Sequence, residues 1–361
     1  MPGDAVERVR RHTELSQRLA GLGDREVSAL LAGAGASTAG IGGTTQTVTV
    51  GGLPVFVKRV PLTDLERRAE NVGSTANLFR LPPFYQYGIG STGFGTWREV
   101  AVHAMTTRWV LEDRFDGFPL LYHWRVLPRT PSPMPDAELE RWVTHWDGAD
   151  EVRARLRAIG AASAAVVLFM EHIPDTVDGW LTGRAAAGGE AAESGYAFVD
   201  AALRRGVEFM GSRGLLHFDA HFRNLLTDGR RVYFADFGLA VHSGFDLGAD
   251  EAAFVRRHRS YDRGYTAAHL TQWLVSNLQG IPWRDCPAYL RGRVGDPGDI
   301  GASAAAGRIV ARHRPVAVVM ERFFDAVENV SKRTPFPADE LDRALEQTAS
   351  AAAGPARLVR P

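Results

Sequence analysis

The chain has 361 residues, a formal net charge of zero at neutral pH and a single cysteine, Cys286. This length suffices for one two-lobed enzyme or two modest domains. The balanced charge gives no global field that would recruit nucleic acid or an anionic membrane. One cysteine excludes a disulfide framework and is typical of a reducing compartment. No N-terminal signal pattern is present, and the longest mainly apolar run, residues 161–170, is too short to span a bilayer. We therefore expect a cytoplasmic protein without nucleic-acid or membrane partners.

The first 36 residues are predicted to form two helices ahead of the main domain. Apolar residues recur at helical spacing, at Val6, Val9, Leu15, Leu19, Val27, Leu30 and Leu31. A glycine-containing break at residues 21–24 separates the two helices.

From residue 37 the apolar pattern changes to period two, which predicts short strands. A glycine-rich turn with Gly40, Gly42 and Gly43 leads to a strand at residues 46–50 and, after a tight turn, to a strand at residues 53–60. A glycine-rich turn alone is weak evidence for function, because most such turns are plain hairpins.

Lysine is rare in this sequence. Of the 42 basic residues only Lys58 and Lys332 are lysines, and every other one is arginine. Lys58 lies inside the apolar strand at residues 53–60. In so lysine-poor a chain, this placement indicates a function for its ammonium group. The alternative is an edge-strand lysine that points into solvent.

Residues 61–95 contain two adjacent prolines and many glycines, and they predict an inserted surface loop with a short helix at residues 62–71. A long helix is expected to start near Thr96 and to continue through periodic apolar positions.

The middle of the chain predicts two strands, at residues 117–127 and 164–170, with a helical or mixed stretch at residues 137–161 between them. Residues 183–195 are of low complexity and are expected to be mobile. Residues 196–212 form an amphipathic pattern that ends at a glycine, as helices commonly do.

Residues 215–240 contain two acid-bearing tripeptides on either side of a predicted hairpin. They are His217-Phe218-Asp219, with Asn224 five residues on, and Asp236-Phe237-Gly238. Residues 224–227 and 231–235 predict strands joined by an Asp-Gly turn. Because a short hairpin brings its two open ends together, we expect Asp219, Asn224 and Asp236 to converge at the mouth of a cleft.

These residue types suit phosphoryl transfer from a nucleotide. Magnesium takes oxygen ligands, which Asn224 and Asp236 supply. Asp219 is then the carboxylate that accepts or orients the proton of the attacking hydroxyl. The pattern H-x-D-x-x-x-x-N followed by D-F-G resembles the catalytic core of the protein-kinase-like superfamily. The alternative, two unrelated surface turns, is disfavoured by the presence of both motifs at this separation.

The resemblance implies an α+β, two-lobed protein-kinase-like fold with a small antiparallel β-rich N-lobe and a mainly helical C-lobe. The expected domains are a helical extension at residues 1–36, the N-lobe at 37–168, the C-lobe with its catalytic and metal-binding loops at 169–350, and a disordered tail at 351–361. The implied cofactors are ATP and Mg²⁺, and the implied acceptor carries a hydroxyl group.

The resemblance also assigns a role to Lys58, which would contact the α- and β-phosphates of ATP while a glutamate holds it. The candidates for that glutamate are Glu66, Glu70 and Glu99. We prefer Glu99 because it lies in the predicted long helix. The alternative is that Glu99 only complements the dipole at the start of that helix.

Two further segments match the nucleotide site by position. The glycines Gly40, Gly42 and Gly43 would cover the phosphates, although G-x-G-G-T-T departs from the G-x-G-x-x-G of kinases. The end of the apolar strand resembles the hinge that binds adenine, with the carbonyl of Glu171 and the N–H of Ile173 as hydrogen-bonding groups and Met170 packing behind. An ordinary buried strand is the alternative.

The identity of the acceptor stays open. His221 gives H-x-D-x-H-x-x-N, which looks like aminoglycoside and choline-type phosphotransferases, whereas D-F-G favours protein kinases and an A-P-E tripeptide is absent. His221 would stabilise the transferred phosphoryl group or a substrate hydroxyl, or simply form a hydrogen bond within its loop. Three hypotheses remain: a bacterial Ser/Thr kinase, a small-molecule phosphotransferase and a pseudokinase-type nucleotide-binding scaffold.

In the C-terminal part, Asp262 opens a predicted apolar helix. In the family an aspartate at this point anchors the backbone of the catalytic loop, so Asp262 is a structural candidate. Residues 304–327 and 337–349 are predicted to be helical. The sequence specifies neither ATP over GTP nor an oligomeric state.

Overall fold

The structure, a computed structural model, describes residues 2–33, 35, 38–40, 43–292, 300 and 303–353. Gly42, the predicted boundary at residues 36–37 and residues 354–361 of the predicted tail lie outside this part. The described chain is α+β, as predicted. None of its helices combines the length and the apolar character needed to cross a membrane.

The strands of the described part are β1 Thr38–Gly40, β2 Gly43–Val50, β3 Leu53–Leu62, β4 Leu121–Pro128, β5 Ala164–Glu171, β6 Asp175–Thr176, β7 Leu215–Leu216, β8 Leu225–Thr227, β9 Val232–Phe234 and β10 Val241–His242. The helices are α1 Pro2–Gly21, α2 Asp24–Ala32, α3 Asp64–Arg67, α4 Thr96–Leu111, α5 Asp136–His145, α6 Asp150–Ala161, α7 Val177–Ala187, α8 Gly189–Ser212, α9 Ala249–Arg257, α10 Tyr261–Gln279, α11 Cys286–Arg291, α12 Ala304–Asn329 and α13 Ala338–Ala353. Short 3₁₀ turns cover Ala69–Asn71, Pro83–Gln86, Phe237–Leu239 and Trp283–Asp285.

The chain divides into two compact units. The first comprises Met1–Pro174, His217–Asp219 and Tyr233–Ala252, and the second comprises Asp175–Leu216, Ala220–Val232 and Ala253–Pro361. The two acid-bearing tripeptides therefore belong to the first unit, together with the sheet that carries Lys58.

The first unit contains a five-stranded antiparallel sheet in the order β1-β2-β3-β5-β4. All residues of β5 are buried, which explains its continuous apolar sequence up to Met170. The prediction of a strand from residue 117 is wrong at its start, since β4 begins at Leu121. Pro119 has no N–H to donate to a ladder, so the strand begins only after it.

The two N-terminal helices pack against this sheet. Leu15, Leu19, Val27 and Leu31 are buried in one core with residues of β2, β3, β4 and β5. Burying each such side chain contributes about 2 kcal/mol. The predicted extension is thus part of the hydrophobic core of the first unit.

The second unit is mainly helical, and α8, α10, α12 and α13 are its longest elements. Residues 183–195, which were expected to be mobile, lie in α7 and α8 apart from Gly188 between them. Alanine and glutamate are strong helix formers, so a composition of this kind favours helix. Gly188, with φ of 66°, supplies the left-handed residue that separates the two helices.

Glu321 on α12 predicts a pH-dependent stability. Burial, together with Asp325 and Glu328, raises the pKa of its carboxyl from 4.5 to about 7, against the opposing effect of Arg291. The native state therefore holds more protons than the unfolded state between these values, and the free energy of unfolding falls as the pH rises through this window. Glu321→Gln should stabilise the protein by roughly 3 kcal/mol at about pH 8 and hardly at all near pH 4.

Urea unfolding at both pH values measures this difference. Glu208→Gln is the matched control, because Glu208 is exposed on α8 and is not among the groups that shift the pKa of Glu321. An equal gain at both pH values would contradict the titration of Glu321.

Candidate functional site

Lys58 lies at the centre of a charge cluster with Glu99, which is buried like the lysine, and Asp236, which is partly exposed. It is on β3, where alternate residues face opposite sides of the sheet. Phe56 and Val60 share its face and pack in one core with residues of α4. The ammonium nitrogen Nζ lies 2.7 Å from Glu99 Oε1 and 2.7 Å from Asp236 Oδ1. The side chain of Lys58 is 6% exposed, so the alternative of an edge-strand lysine in solvent is excluded.

Of the three glutamates considered for Lys58, Glu99 in the first turn of α4 makes the contact. Glu66 instead pairs with Arg155 at 3.0 Å and accepts a hydrogen bond from the backbone N–H of Thr96 at 2.7 Å. It thereby caps the start of α4 and fixes the helix that carries Glu99. Glu70 is exposed.

The three charges of the cluster set one another's protonation. Burial opposes the charge of Lys58, but Asp236 and Glu99 outweigh it and raise the pKa of the lysine above its usual 10.5. Burial also opposes the charge of Asp236, yet Lys58 lowers the pKa of this carboxyl from 3.8 to about 2. For Glu99 burial dominates and raises the pKa. Lys58 and Asp236 therefore form an ion pair at neutral pH.

The Asp236-Phe237-Gly238 turn is held by its aromatic residue. Phe237 is buried and packs against the rings of His103, His217 and Phe118 at centroid distances of 4.9, 5.2 and 6.1 Å. Asp236 has φ of 58°, a left-handed conformation that aspartate tolerates better than most residues. Its Oδ1 also accepts a hydrogen bond from the N–H of Gly238 at 3.3 Å.

His217 joins the two acid-bearing tripeptides. Its Nδ1 accepts a hydrogen bond from the N–H of Asp219 at 3.3 Å, and its Nε2 lies 2.9 Å from the carbonyl of Ala235. The two partners require the proton on Nε2, since a backbone N–H donates and a carbonyl accepts. Between them Phe218, fully buried, has φ of 63°, which is rare for a bulky residue.

His221 and Asn224 belong to the second unit. There the N–H of Asn224 donates to the carbonyl of His221 at 2.8 Å, which closes a turn, and both side chains are half-buried. The N–H of Phe222 donates to His269 Nε2 at 3.3 Å. Asp262 is buried in the first turn of α10. The convergence of Asn224 with Asp219 and Asp236 stays a prediction.

The residues predicted to contact adenine lie at the end of β5 and just after it. Met170 is buried opposite Phe56 of β3, and Ile173 is half-buried. The side chain of Glu171 is bound by Arg8, at 3.0 Å from Nε and 2.6 Å from Nη2. The N–H of Leu120 also donates to this carboxylate, at 3.2 Å.

The sequence interpretation missed Arg8. Arg8 and His12 continue the buried stripe of Leu15 and Leu19 on α1 at helical spacing, whereas Val6 and Val9, which were expected on that stripe, are exposed. The signal in the sequence was that two polar residues occupy positions that continue the apolar spacing of α1. This signal is weak because most arginines at such positions face solvent.

The predicted phosphate-covering glycines lie at the start of the sheet. Gly40 of β1 pairs with Gly43 of β2, and the turn between them lies outside the described residues. Gly43 has φ of 136°, and a Cβ there would overlap the carbonyl of Arg59. Gly43 is thus required by a close approach of β3, whatever else it binds.

The oxygen donors of the cluster are compatible with magnesium. Oδ1 of Asp236 takes the contacts with Lys58 and Gly238, and 45% of the side chain is exposed. Within the described residues no group of three or more His, Cys, Asp or Glu side chains forms a ready-made metal site. Magnesium commonly binds through one or two protein oxygens, with phosphate and water completing its shell. Asp236 supplies one such oxygen.

Comparison of the chain with protein-family models and with curated proteins gave no match.

Proposed function

We propose that the protein is an ATP- and Mg²⁺-dependent phosphotransferase with a two-lobed kinase-like fold, which moves the γ-phosphoryl group to a hydroxyl-bearing acceptor. The observation that carries the proposal is the position of Lys58 between Glu99 and Asp236. In protein kinases a strand lysine pairs with a helix glutamate, and both this pair and the metal-binding aspartate must be in place for catalysis.

Each residue then has a role in positioning or charge stabilisation. Lys58, held by Glu99, binds the α- and β-phosphates. Asp236 and Asn224 would hold magnesium, which when bound neutralises charge on the phosphates. Asp219 accepts or orients the proton of the acceptor hydroxyl, while His217 fixes the backbone on which Asp219 lies.

The remaining residues of the proposed site bind the nucleotide or assist transfer. The backbone of Glu171 and Ile173 binds adenine and Met170 packs behind it. His221 stabilises the transferred phosphoryl group or the acceptor hydroxyl. The glycines of the first turn, Gly40, Gly42 and Gly43, cover the phosphates.

Asp219→Asn tests this proposal directly. Removal of a general base is expected to slow phosphoryl transfer by about 10²–10⁴-fold. Binding of ATP should be unchanged, because Asp219 contacts the acceptor and not the nucleotide. Transfer of label from γ-labelled ATP and the Kd for ATP are the two measurements.

Asp150→Asn is the control, since the side chain of Asp150 is exposed on α6. Full turnover by Asp219→Asn would contradict the assignment of the base. Binding of ATP by the wild type without any turnover would instead indicate a nucleotide-binding scaffold.

A further inference from the structure

Residues 83–95, here called the cover segment, lie against both acid-bearing tripeptides. They were predicted to be part of a surface loop, but Phe84, Tyr85, Gln86 and Tyr87 are buried. The segment belongs to the same compact unit as Asp219 and Gly238.

Two glycines of the cover segment make the close approaches. A Cβ at Gly88 would overlap the carboxylate of Asp219, with Asp219 Cγ only 3.1 Å away. A Cβ at Gly93 would overlap the carbonyl of Gly238, with its carbon 3.3 Å away. The side chain of Gln86 also donates a hydrogen bond to the carbonyl of Leu239, next to Gly238. The cover segment therefore lies directly on the proposed base and on the turn that contains Asp236.

The cover segment is also fixed by contacts with α5 and with the residue that follows this helix. Trp142 packs so closely on Gly90 that a Cβ there would overlap its ring. His145 Nε2 lies 2.8 Å from the carbonyl of Ile89. The ring of Tyr85 meets that of Trp146 edge-on at 4.6 Å. These anchors make the cover segment a packed part of the first unit.

We propose that the cover segment closes the approach to Asp219 against polypeptides, so that the acceptor is a small hydroxyl-bearing molecule. This inference rests on the proposed function. A serine or threonine in a protein brings several residues of flanking backbone to the base, and that backbone needs a groove on both sides of the reacting hydroxyl. The cover segment occupies the surface beside Asp219 and Gly238. A small alcohol carries no flanking chain and needs room for little more than the reacting group.

The test compares acceptors in the full-length protein and in variants that loosen the cover segment. Label from γ-labelled ATP is measured in casein, in the protein itself and in a panel of amino alcohols and aminocyclitols, with ATP hydrolysis measured in parallel. Trp142→Ala removes the ring beneath Gly90. His145→Ala is a milder second variant that removes the contact with Ile89, in case the larger change impairs folding. Trp124→Ala is the control, because Trp124 is partly exposed on β4.

We expect the wild type and Trp124→Ala to hydrolyse ATP and label small alcohols without labelling casein. Loosening the cover segment should raise casein labelling by at least about tenfold, because casein is then no longer excluded by a clash between its backbone and the cover segment. Casein labelling by the wild type at the rate of the loosened variants would overturn the inference and leave the proposed function intact. No gain in either loosened variant would overturn it as well. Absence of both ATP binding and hydrolysis in the wild type would defeat the proposed function itself.

Gly88→Ala provides an independent measurement. Its methyl group would press on Asp219, so transfer to small alcohols should fall at least about tenfold while the Kd for ATP stays constant. Gly248→Ala is matched to it, because a methyl group at Gly248 meets nothing within 4 Å. Equal rates of transfer to small alcohols by Gly88→Ala and Gly248→Ala would overturn the inference that Gly88 lies beside the bound acceptor.

Discussion

Lys58→Met is expected to lower the rate of phosphoryl transfer by about 10²–10³-fold, the usual effect of removing one preorganised donor from developing charge. The same change removes the cation that lies 2.7 Å from both Glu99 and Asp236. Because Glu99 is 3% exposed, its carboxylate would be left buried without compensation, which costs about 3–5 kcal/mol of unfolding free energy. Initial rates of transfer and urea unfolding measure the two effects separately.

The only other lysine of the chain provides the control. Lys332 is buried as well, and its Nζ donates to the carbonyl of Val327 at 3.1 Å in the second unit. Lys332→Met should reduce stability without a comparable loss of transfer at a temperature where it stays folded. Adding Glu99→Gln to Lys58→Met should recover stability and leave transfer low. Equal loss of activity in the two lysine variants would show that Lys58 acts only through folding.

Arg8→Ala is expected to reduce the free energy of unfolding by about 3–5 kcal/mol, because it leaves a buried carboxylate unpaired. Arg8 donates to Glu171 and also to the backbone carbonyls of Asp116 and Phe118, at 3.0 and 2.9 Å. Its loss therefore removes hydrogen bonds from three points of the first unit. Denaturant unfolding of the wild type and the variant measures the effect.

Arg10→Ala tests whether burial of the ion pair is the reason for the loss of stability expected in Arg8→Ala. Arg10 lies on the same helix and pairs with Glu7 on the exposed face. Exposed pairs of this kind contribute about 0–1 kcal/mol. Changing Glu171 to Gln in the Arg8→Ala background should restore part of the lost stability, because a neutral amide is less costly to bury than a carboxylate. Similar losses for Arg8→Ala and Arg10→Ala would contradict the buried pair.

The sequence predicted those features that depend on local pattern. The strand that carries Lys58, the start of α4 at Thr96 and the helix from Tyr261 all follow from apolar periodicity and end signals within a few residues. Glu99 was preferred as the partner of Lys58 because it was expected on that long helix. In these segments the tertiary contacts favour the same secondary structure as the local sequence, so the prediction agrees with the fold.

Features that depend on distant contacts were missed. The partners Arg8 and Glu171 are 163 positions apart, and no local pattern relates them. The cover segment was predicted as a surface loop because of its glycines and prolines. Its aromatic residues bury it, and its glycines permit close approach to other backbone and side chains.

The backbone at Phe218 and Asp236 has a consequence for how this protein would respond to selection. Each residue is held in a left-handed conformation at a cost of about 1–3 kcal/mol, and the two lie beside Asp219 and at the end of the Lys58 cluster. Selection for heat tolerance alone would therefore favour substitutions that remove the backbone strain at these two positions. Variants with such changes should gain in melting temperature and lose the proposed phosphoryl transfer. Stability and activity would then place opposite demands on these two residues.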